Sequence, residues 1–297
     1  IFVRNLKEDL LRRDFTINAM AYNEKEGLVD IFGGMDDLKA GIIRCVGNAQ
    51  ARFSEDALRI LRGIRFAAQL GFELEDETRE GMRLLAPTLR KISAERIQVE
   101  LVKTLTSSRP DLLREAWKLG ITKEFLPEFD LAMETTQETV HHMYTVGEHI
   151  LHTLLEVRPD RILRLTMLLH DIGKPYRKTM DADGVAHFKG HPEKSSELAN
   201  EILHRLKFDN DTIRKVTKLV RYHDHRMPVT PAHVRRAVHE IGEDLFPLYL
   251  EVRRADVSAQ SMYQREEKIA DIDGVEKLYH EIMERNECVS LKMLAVT

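Results

Sequence analysis

Arg161-Ile-Leu-Arg-Leu-Thr-Met-Leu-Leu-His170-Asp171-Ile-Gly173-Lys174-Pro175 decides how this chain is read. Arg161 to Leu169 is nearly all apolar, which predicts a buried helix, and it ends on a histidine and an aspartate side by side. Gly173 and Pro175 then turn the chain away. Such an ending places two metal ligands in a dry pocket. Neutral imidazole with carboxylate suits hard-to-borderline divalent ions.

Working outward, all thirteen histidines lie after residue 140, where chance placement would put almost half of them earlier. The asymmetry marks a boundary between two chemistries. His149 falls on the preceding predicted helix, His191 follows Gly190 at a helix start, His223 is near the end of another, and Asp256 lies on a later one. Inward-facing ligands from several helices are how helical folds build metal sites. Taken singly, each histidine reads more readily as a cap or surface group. His141, His142, His152, His187, His204, His225, His233, His239 and His280 are read as structural or solvent-facing, with His142 and His152 the nearest rivals of His149.

A length of 297 residues allows two or three domains of roughly 100–200 residues each. With 43% hydrophobic and 32% charged residues the chain is globular, and a net charge of -4 argues against coating nucleic acid through bulk charge. Cys45 and Cys288 are far apart, which fits a reducing cytosol and no disulfide framework. No apolar run approaches the roughly 18 residues of a membrane span, and no signal-peptide pattern opens the chain. Ile1-Phe-Val-Arg reads as a strand already in progress and Leu294-Ala-Val-Thr297 as an uncapped apolar end, so a fragment is expected.

Residues 1 to 50 mix α and β signals, with β-rich runs at 28–32 and 42–46. Ser54 before Glu55-Asp56 predicts an N-cap, and Ala57, Leu58, Leu61, Ile64 and Ala68 continue at helical spacing to a stop at Gly71. Arg59, Arg62 and Arg65 share a neighbouring face. Further helices are predicted over 74–86, 93–106 and 110–119. Beyond a polar connector at 131–140, others follow over 145–157, 161–170, 192–206, 211–223, 231–240 and 243–259.

Two stretches of the first half carry candidate chemistry. In Arg12-Arg13-Asp14-Phe-Thr-Ile-Asn18-Ala-Met-Ala-Tyr22, arginine suits phosphate, aspartate a ribose hydroxyl, and asparagine either. On spacing alone this reads as a helix with a solvated start, and Glu55-Asp56-Ala-Leu-Arg59 as an ordinary i, i+3 ion pair.

The ordered series His149, His170-Asp171, His191, His223 and Asp256 resembles the HD-type phosphohydrolase superfamily. That resemblance implies that His149, His170, Asp171 and Asp256 hold one divalent ion and that His191 and His223 support a second. It also implies water activated for attack on phosphorus, with His170 and Asp171 at the catalytic centre. Lys174 is a candidate phosphate contact, or equally a surface lysine. Mn, Fe, Co, Ni and Zn all suit the ligand set.

The Arg-Arg-Asp stretch, Asp30-Ile-Phe-Gly-Gly, and Phe53-Ser-Glu-Asp-Ala-Leu-Arg-Ile-Leu-Arg-Gly-Ile-Arg-Phe together resemble bacterial class II tRNA nucleotidyltransferases and their poly(A) polymerase relatives. The resemblance implies that Arg12, Arg13, Asp14 and Asn18 lie on the sugar and phosphates of an incoming nucleotide. It implies that Asp56 and Arg59 pair with the edge of CTP or ATP, with Arg62 and Arg96 beside them. An aspartate acceptor and an arginine donor fork match either base if they reorient.

The implied fold is mainly α. It comprises a remnant of an α/β nucleotidyltransferase head (1–50), a helical neck for base and RNA (51–135), an all-helical HD domain (136–260) and the start of a helical body or tail (261–297). The implied partners are nucleotides and the tRNA 3′ end, with no membrane, in the cytoplasm. The family's glycine-rich turn and Asp-x-Asp pair, which hold two Mg²⁺ for transfer, lie upstream of the Arg-Arg-Asp motif. Asp181-Ala-Asp183-Gly184 reads as a turn, so this chain is expected not to transfer nucleotides. CCA addition, poly(A) addition, a stand-alone phosphohydrolase on RNA ends and a binding module with a structural metal remain open at this point, as does oligomeric state.

Overall fold

The computed structural model describes residues 5–140 and 143–285, which divide into two compact units meeting near residue 130. In the first unit, strand Met20–Asn23 pairs antiparallel with Gly27–Asp30, turning on Gly27 in the left-handed region (φ 71°). The run predicted to Phe32 stops at Asp30. Its carboxylate leaves the ladder to accept the Gly34 and Met35 N–H groups, both at 2.8 Å, and caps helix Gly34–Ala40. The second run is a strand only over Ile42–Ile43, which pairs in parallel with Glu73–Leu74. Beyond it Cys45 bridges to Phe15.

The Ser54 cap is corrected by the structure. Ser54 and Glu55 are the last residues of helix Ala49–Glu55, itself capped by Asn48. Asp56 is extended, and its side chain accepts from Leu58 N at 3.1 Å as helix Leu58–Leu70 begins. Gly71 closes that helix with φ 71°, as predicted. Gly63 inside it allows close packing: a Cβ there would meet the Met82 methyl at 2.1 Å and the Phe15 ring at 3.0 Å. Helices Asp76–Leu85, Ala94–Leu105 and Leu113–Lys118 follow. They enclose Phe15, Phe53, Ile60, Met82, Leu89 and Leu105.

The residues read as a polar connector begin as helix, since Pro127–Glu134 covers their first four positions. The second unit holds helices Val146–Leu155, Arg161–Leu169, His191–Arg205, Asn210–Tyr222, Pro231–Ile241, Phe246–Ser258 and Arg265–Glu284. Among the described residues of this unit, strand occurs in the hairpin Thr179–Met180 with Ala186–His187, turned by Asp181 accepting from Asp183 and Val185 N. Asp160 caps the decisive helix, accepting from Ile162 and Leu163 N at 2.9 and 3.0 Å, and Leu163 to Leu169 are all buried. The last helix belongs to this unit, with Ile272, Val275 and Tyr279 in one core with Val234, Phe246 and Tyr249. No described helix is long and apolar enough to cross a membrane.

A buried ion pair joins two helices of the first unit: Arg65 Nε lies 2.8 Å from Glu100 Oε2, with side chains 10% and 5% exposed. Removing one member leaves an uncompensated buried charge. Glu100→Ala is therefore expected to lower the unfolding free energy by about 3 kcal/mol in urea titrations, and Glu100→Gln by less.

Candidate metal centre and nucleotide cluster

The Arg161–Leu169 helix delivers His170 and Asp171 at its end with 0% and 1% exposure. His149 comes from helix Val146–Leu155, His191 opens the following long helix, His223 caps Asn210–Tyr222, and Asp256 lies on Phe246–Ser258. All six predicted ligands are buried and brought together. Three of the histidines share one device. His170 Nδ1 bonds Met167 O at 2.8 Å, His191 Nδ1 bonds Phe188 O at 2.9 Å, and His223 Nδ1 bonds Val220 O at 2.6 Å. A carbonyl can only accept, so each Nδ1 donates to it and each ring turns its Nε2 inward. Burial pushes the His170 pKa down to about 3 against the raising effect of Asp171, so that ring is neutral.

Asp171 sits at the centre. Its Oδ1 lies 3.3 and 3.4 Å from Nε2 of His191 and His223; its Oδ2 lies 3.6 and 3.4 Å from Nε2 of His149 and His170. One carboxylate thus serves two ligand groups: His149, His170 and Asp171, and Asp171, His191 and His223. Asp256 Oδ1 joins the first group, 2.9 Å from His149 Nε2. Burial alone would raise the Asp171 carboxyl. The Lys174 ammonium and then the imidazoles hold it well below the usual carboxylate range.

The donor set fits a divalent cation. His191 and His223 bring two Nε2 atoms to 3.1 Å, and His149 and His170 to 3.4 Å. Two inward lone pairs repel at such range unless a proton or cation lies between them, and carboxylate with imidazole is the set that borderline divalent ions prefer.

Lys174 is not a surface lysine. It is 5% exposed, with Nζ 2.6 Å from Asp171 Oδ2 and 2.9 Å from Gln137 Oε1. An open cleft of about 560 Å³ reaches the centre, bordered by Lys174, His187, Lys189, Arg226 and Gln260. Its lining sets Lys174, Lys189 and Arg226 beside the carboxylates of Asp171, Asp224 and Asp256. His152 stacks on Tyr144 at 4.2 Å and belongs to neither ligand group, while His142 lies outside the described residues.

Sequence reading passed over Gln137, Ser195 and Gln260. Ser195 Oγ accepts the Gly173 N–H at 2.9 Å, clamping the turn after Asp171 onto the helix that carries His191. The Gln137 and Ser195 contacts join residues 37 and 22 positions apart, and no local pattern announces them.

In the first unit, Asp14 is 5% exposed and accepts from Asn18 Nδ2 at 2.7 Å and from Phe15 N at 3.1 Å, while Arg62 Nε ion-pairs its other oxygen. Burial opposes the Asp14 charge, but Arg62 and Asn18 outweigh it and keep the carboxyl ionised below its usual range. Arg59 Nη2 donates to the Arg12 carbonyl at 2.9 Å. Its Nη1 reaches Glu55 Oε2 at 3.0 Å, so the ion pair on this helix is i, i+4 from Glu55 and not from Asp56. Asp56 instead accepts from Arg96 Nη2 at 2.7 Å. Arg13 pairs loosely with Asp9 at 3.5 Å and is half exposed. Arg12, Asp14, Asn18, Arg59 and Arg62 are thus linked to one another, and Asp56 and Arg96 form a pair of their own.

Comparison with known proteins places these observations. Residues 2–44 match the poly A polymerase head domain, residues 71–133 the probable RNA and SrmB-binding site of polymerase A, and residues 139–273 the HD domain. An A-adding tRNA nucleotidyltransferase of Deinococcus radiodurans is 39% identical over 267 residues, 84% of this chain and 61% of that protein. A CCA-adding enzyme of Streptococcus mutans is 59% identical over 120 residues, 40% of this chain and 28% of that protein. Among solved structures, a Bacillus stearothermophilus CCA-adding enzyme in complex with CTP aligns with TM-score 0.61 and 24% identity over 95% of this chain and 60% of its own. A Thermotoga maritima CCA-adding enzyme complexed with tRNA aligns at 0.55 and 22%, over 94% of this chain and 61% of its own. These two likenesses concern the fold. The chain spans about three fifths of the length of the Deinococcus relative.

The Gly173 clamp is testable. A Cβ at Gly173 would lie 2.4 Å from Ser195 N, a backbone atom that cannot step aside. Gly173→Ala is expected to shift Asp171 away from His191 and weaken Mn²⁺ binding roughly 10–100-fold by calorimetry.

Proposed function

The chain belongs to the CCA-adding enzyme and poly(A) polymerase family with an HD domain, and on that premise we propose that it is part of a tRNA nucleotidyltransferase with a phosphohydrolase centre. The observation that carries the reading is the ordered run of the three family matches along a chain that also has a Deinococcus relative at 39% identity. The tRNA 3′ end, CTP and ATP are the proposed partners, with Mg²⁺ serving transfer and a cytosolic setting. Residues 1–50 are the proposed head, 51–135 the neck, 136–260 the HD domain, and 261–297 the start of the body.

In this reading Arg12, Arg13, Asp14 and Asn18 face the sugar and phosphates. Asp56 and Arg59 face the base edge, held by Arg96 and by the Arg12 carbonyl. Arg62 keeps Asp14 charged and in place.

In the HD centre, His149, His170, Asp171 and Asp256 would hold one divalent ion, and His191 and His223, sharing Asp171, a second. Mn, Fe, Co, Ni and Zn all suit these ligands. When bound, such ions supply Lewis acidity toward a phosphate. The chain's own residues fix the rings through their Nδ1 bonds and balance the Asp171 charge through Lys174, and Lys189 and Arg226 at the cleft are the groups that would meet an anionic ester. We propose 2′,3′-cyclic phosphates or damaged RNA ends as its substrates.

A second reading, addition of A alone, is favoured by the A-adding name of the relative that matches 84% of this chain. Selective binding of ATP over CTP by the purified chain would support it, and equal binding would support CCA addition. Arg59→Ala should weaken nucleotide binding by about 2 kcal/mol, roughly 30-fold, through loss of a charged donor. Hydrolysis of 2′,3′-cyclic AMP with Ni²⁺, Co²⁺ or Mn²⁺ is expected and should fall to background in Asp171→Ala. No turnover with any of the three ions would remove the hydrolase half of the proposal.

A further inference from the structure

We infer that Gln260 and Lys268 are positioning residues of the HD centre, setting the orientation of the Asp256 carboxylate. The inference rests on the metal-centre reading above and adds residues that no ligand series contains.

Asp256 has two oxygens with different duties. Oδ1 faces the histidines, 2.9 Å from His149 Nε2 and 3.8 Å from His170 Nε2. Oδ2 faces away and accepts from Gln260 Nε2 at 3.1 Å, with Arg253 Nη1 further off at 3.9 Å. Arg253 stands three residues before Asp256 on helix Phe246–Ser258, and Gln260 lies four residues after it, just past the end of that helix, so the ligand sits between the groups that grip it. Arg253 is itself fixed by donating to the His223 carbonyl at 2.9 Å, which ties the same grip to a second ligand.

A glutamine amide has a donor end and an acceptor end, and only the donor end suits a carboxylate. Lys268, on the last described helix, removes the ambiguity. Its Nζ donates to Gln260 Oε1 at 3.0 Å, so the oxygen of the amide is engaged and the nitrogen is left facing Asp256. A flipped amide would set Oε1 against Asp256 Oδ2 and the ammonium against an N–H₂ group, losing both bonds. The Arg265 guanidinium also donates to the Gln260 main-chain carbonyl, fixing the backbone from which the amide hangs. The relay Lys268, Gln260, Asp256 thus reaches from helix Arg265–Glu284 to the ligand cluster. Outer partners of this kind hold a ligating carboxylate in its productive orientation and are worth roughly 10–100-fold in metal affinity.

The test uses Mn²⁺ and Co²⁺ with the purified chain and no substrate, because Gln260 also borders the cleft and could act on a substrate directly. Gln260→Ala should weaken Mn²⁺ binding by roughly 10–100-fold and change the visible absorption of bound Co²⁺, while the melting temperature of the metal-free protein stays unchanged. Lys268→Met should weaken binding in the same direction by a smaller factor, and Lys268→Arg, which keeps the donor, should restore it. Wild-type protein that binds either ion, with Gln260→Ala and Lys268→Met matching it in affinity and spectrum, overturns this inference and leaves the metal centre standing. Wild-type protein that binds neither ion overturns the metal centre and this inference together. Loss of affinity in Lys268→Arg equal to that in Lys268→Met would also overturn the relay, since a donor alone would then not suffice.

Discussion

The second unit is organised around one carboxylate that has no water. An ionised group 1% exposed is tolerated in a protein interior only when opposite charge and directed polar groups offset its lost hydration. Asp171 receives Lys174 on one oxygen and draws four ring nitrogens around both. Each ring must then be steered, and backbone carbonyls three residues earlier do this for His170, His191 and His223. The glycine after Ile172, the buried serine beneath it and the caps of the surrounding helices all follow from keeping that carboxylate in place.

The centre was legible because its signals are local. A run of apolar residues ending abruptly in His170-Asp171 is a pattern that physics rarely produces for packing alone, and Arg161–Leu169 folds as that pattern predicts. His149, His191, His223 and Asp256 were different: each sits in or at the end of an ordinary stretch of helix, and the resemblance to a known family singled them out. Gln137 and Ser195 gave no sign at all, since their partners are set by how distant segments meet. The strand Glu73–Leu74 is too short for a period of two to show. The cap predicted at Ser54 failed because the preceding helix runs through it, and Asp56 accepts the Leu58 N–H instead.

The first unit treats its charges differently. Where the histidine cluster gathers rings about a shared anion, the first unit keeps full charges in pairs, Asp14 with Arg62 and Asp56 with Arg96. Asp56 and Arg96 are 35% and 48% exposed, so water screens that pair and it contributes little to stability. Asp14 is 6% exposed, and there Arg62 offsets the cost of burying the carboxylate.

The parallel pairing of Ile42–Ile43 with Glu73–Leu74 has a mechanical consequence. It stitches the end of the head to residues beyond the first long neck helix, and Cys45 N reinforces it by donating to Thr78 Oγ1 at 2.9 Å, as does Arg44 by reaching Glu75 at 3.3 Å. A cut near residue 50 would therefore sever no hinge. It would strip one strand of its only ladder partner and leave Leu58–Leu70 without the Asp14 that anchors Arg62. Residues 5–130 belong to one compact unit, and a displacement of helix Leu58–Leu70 would draw Asp14 along through Arg62.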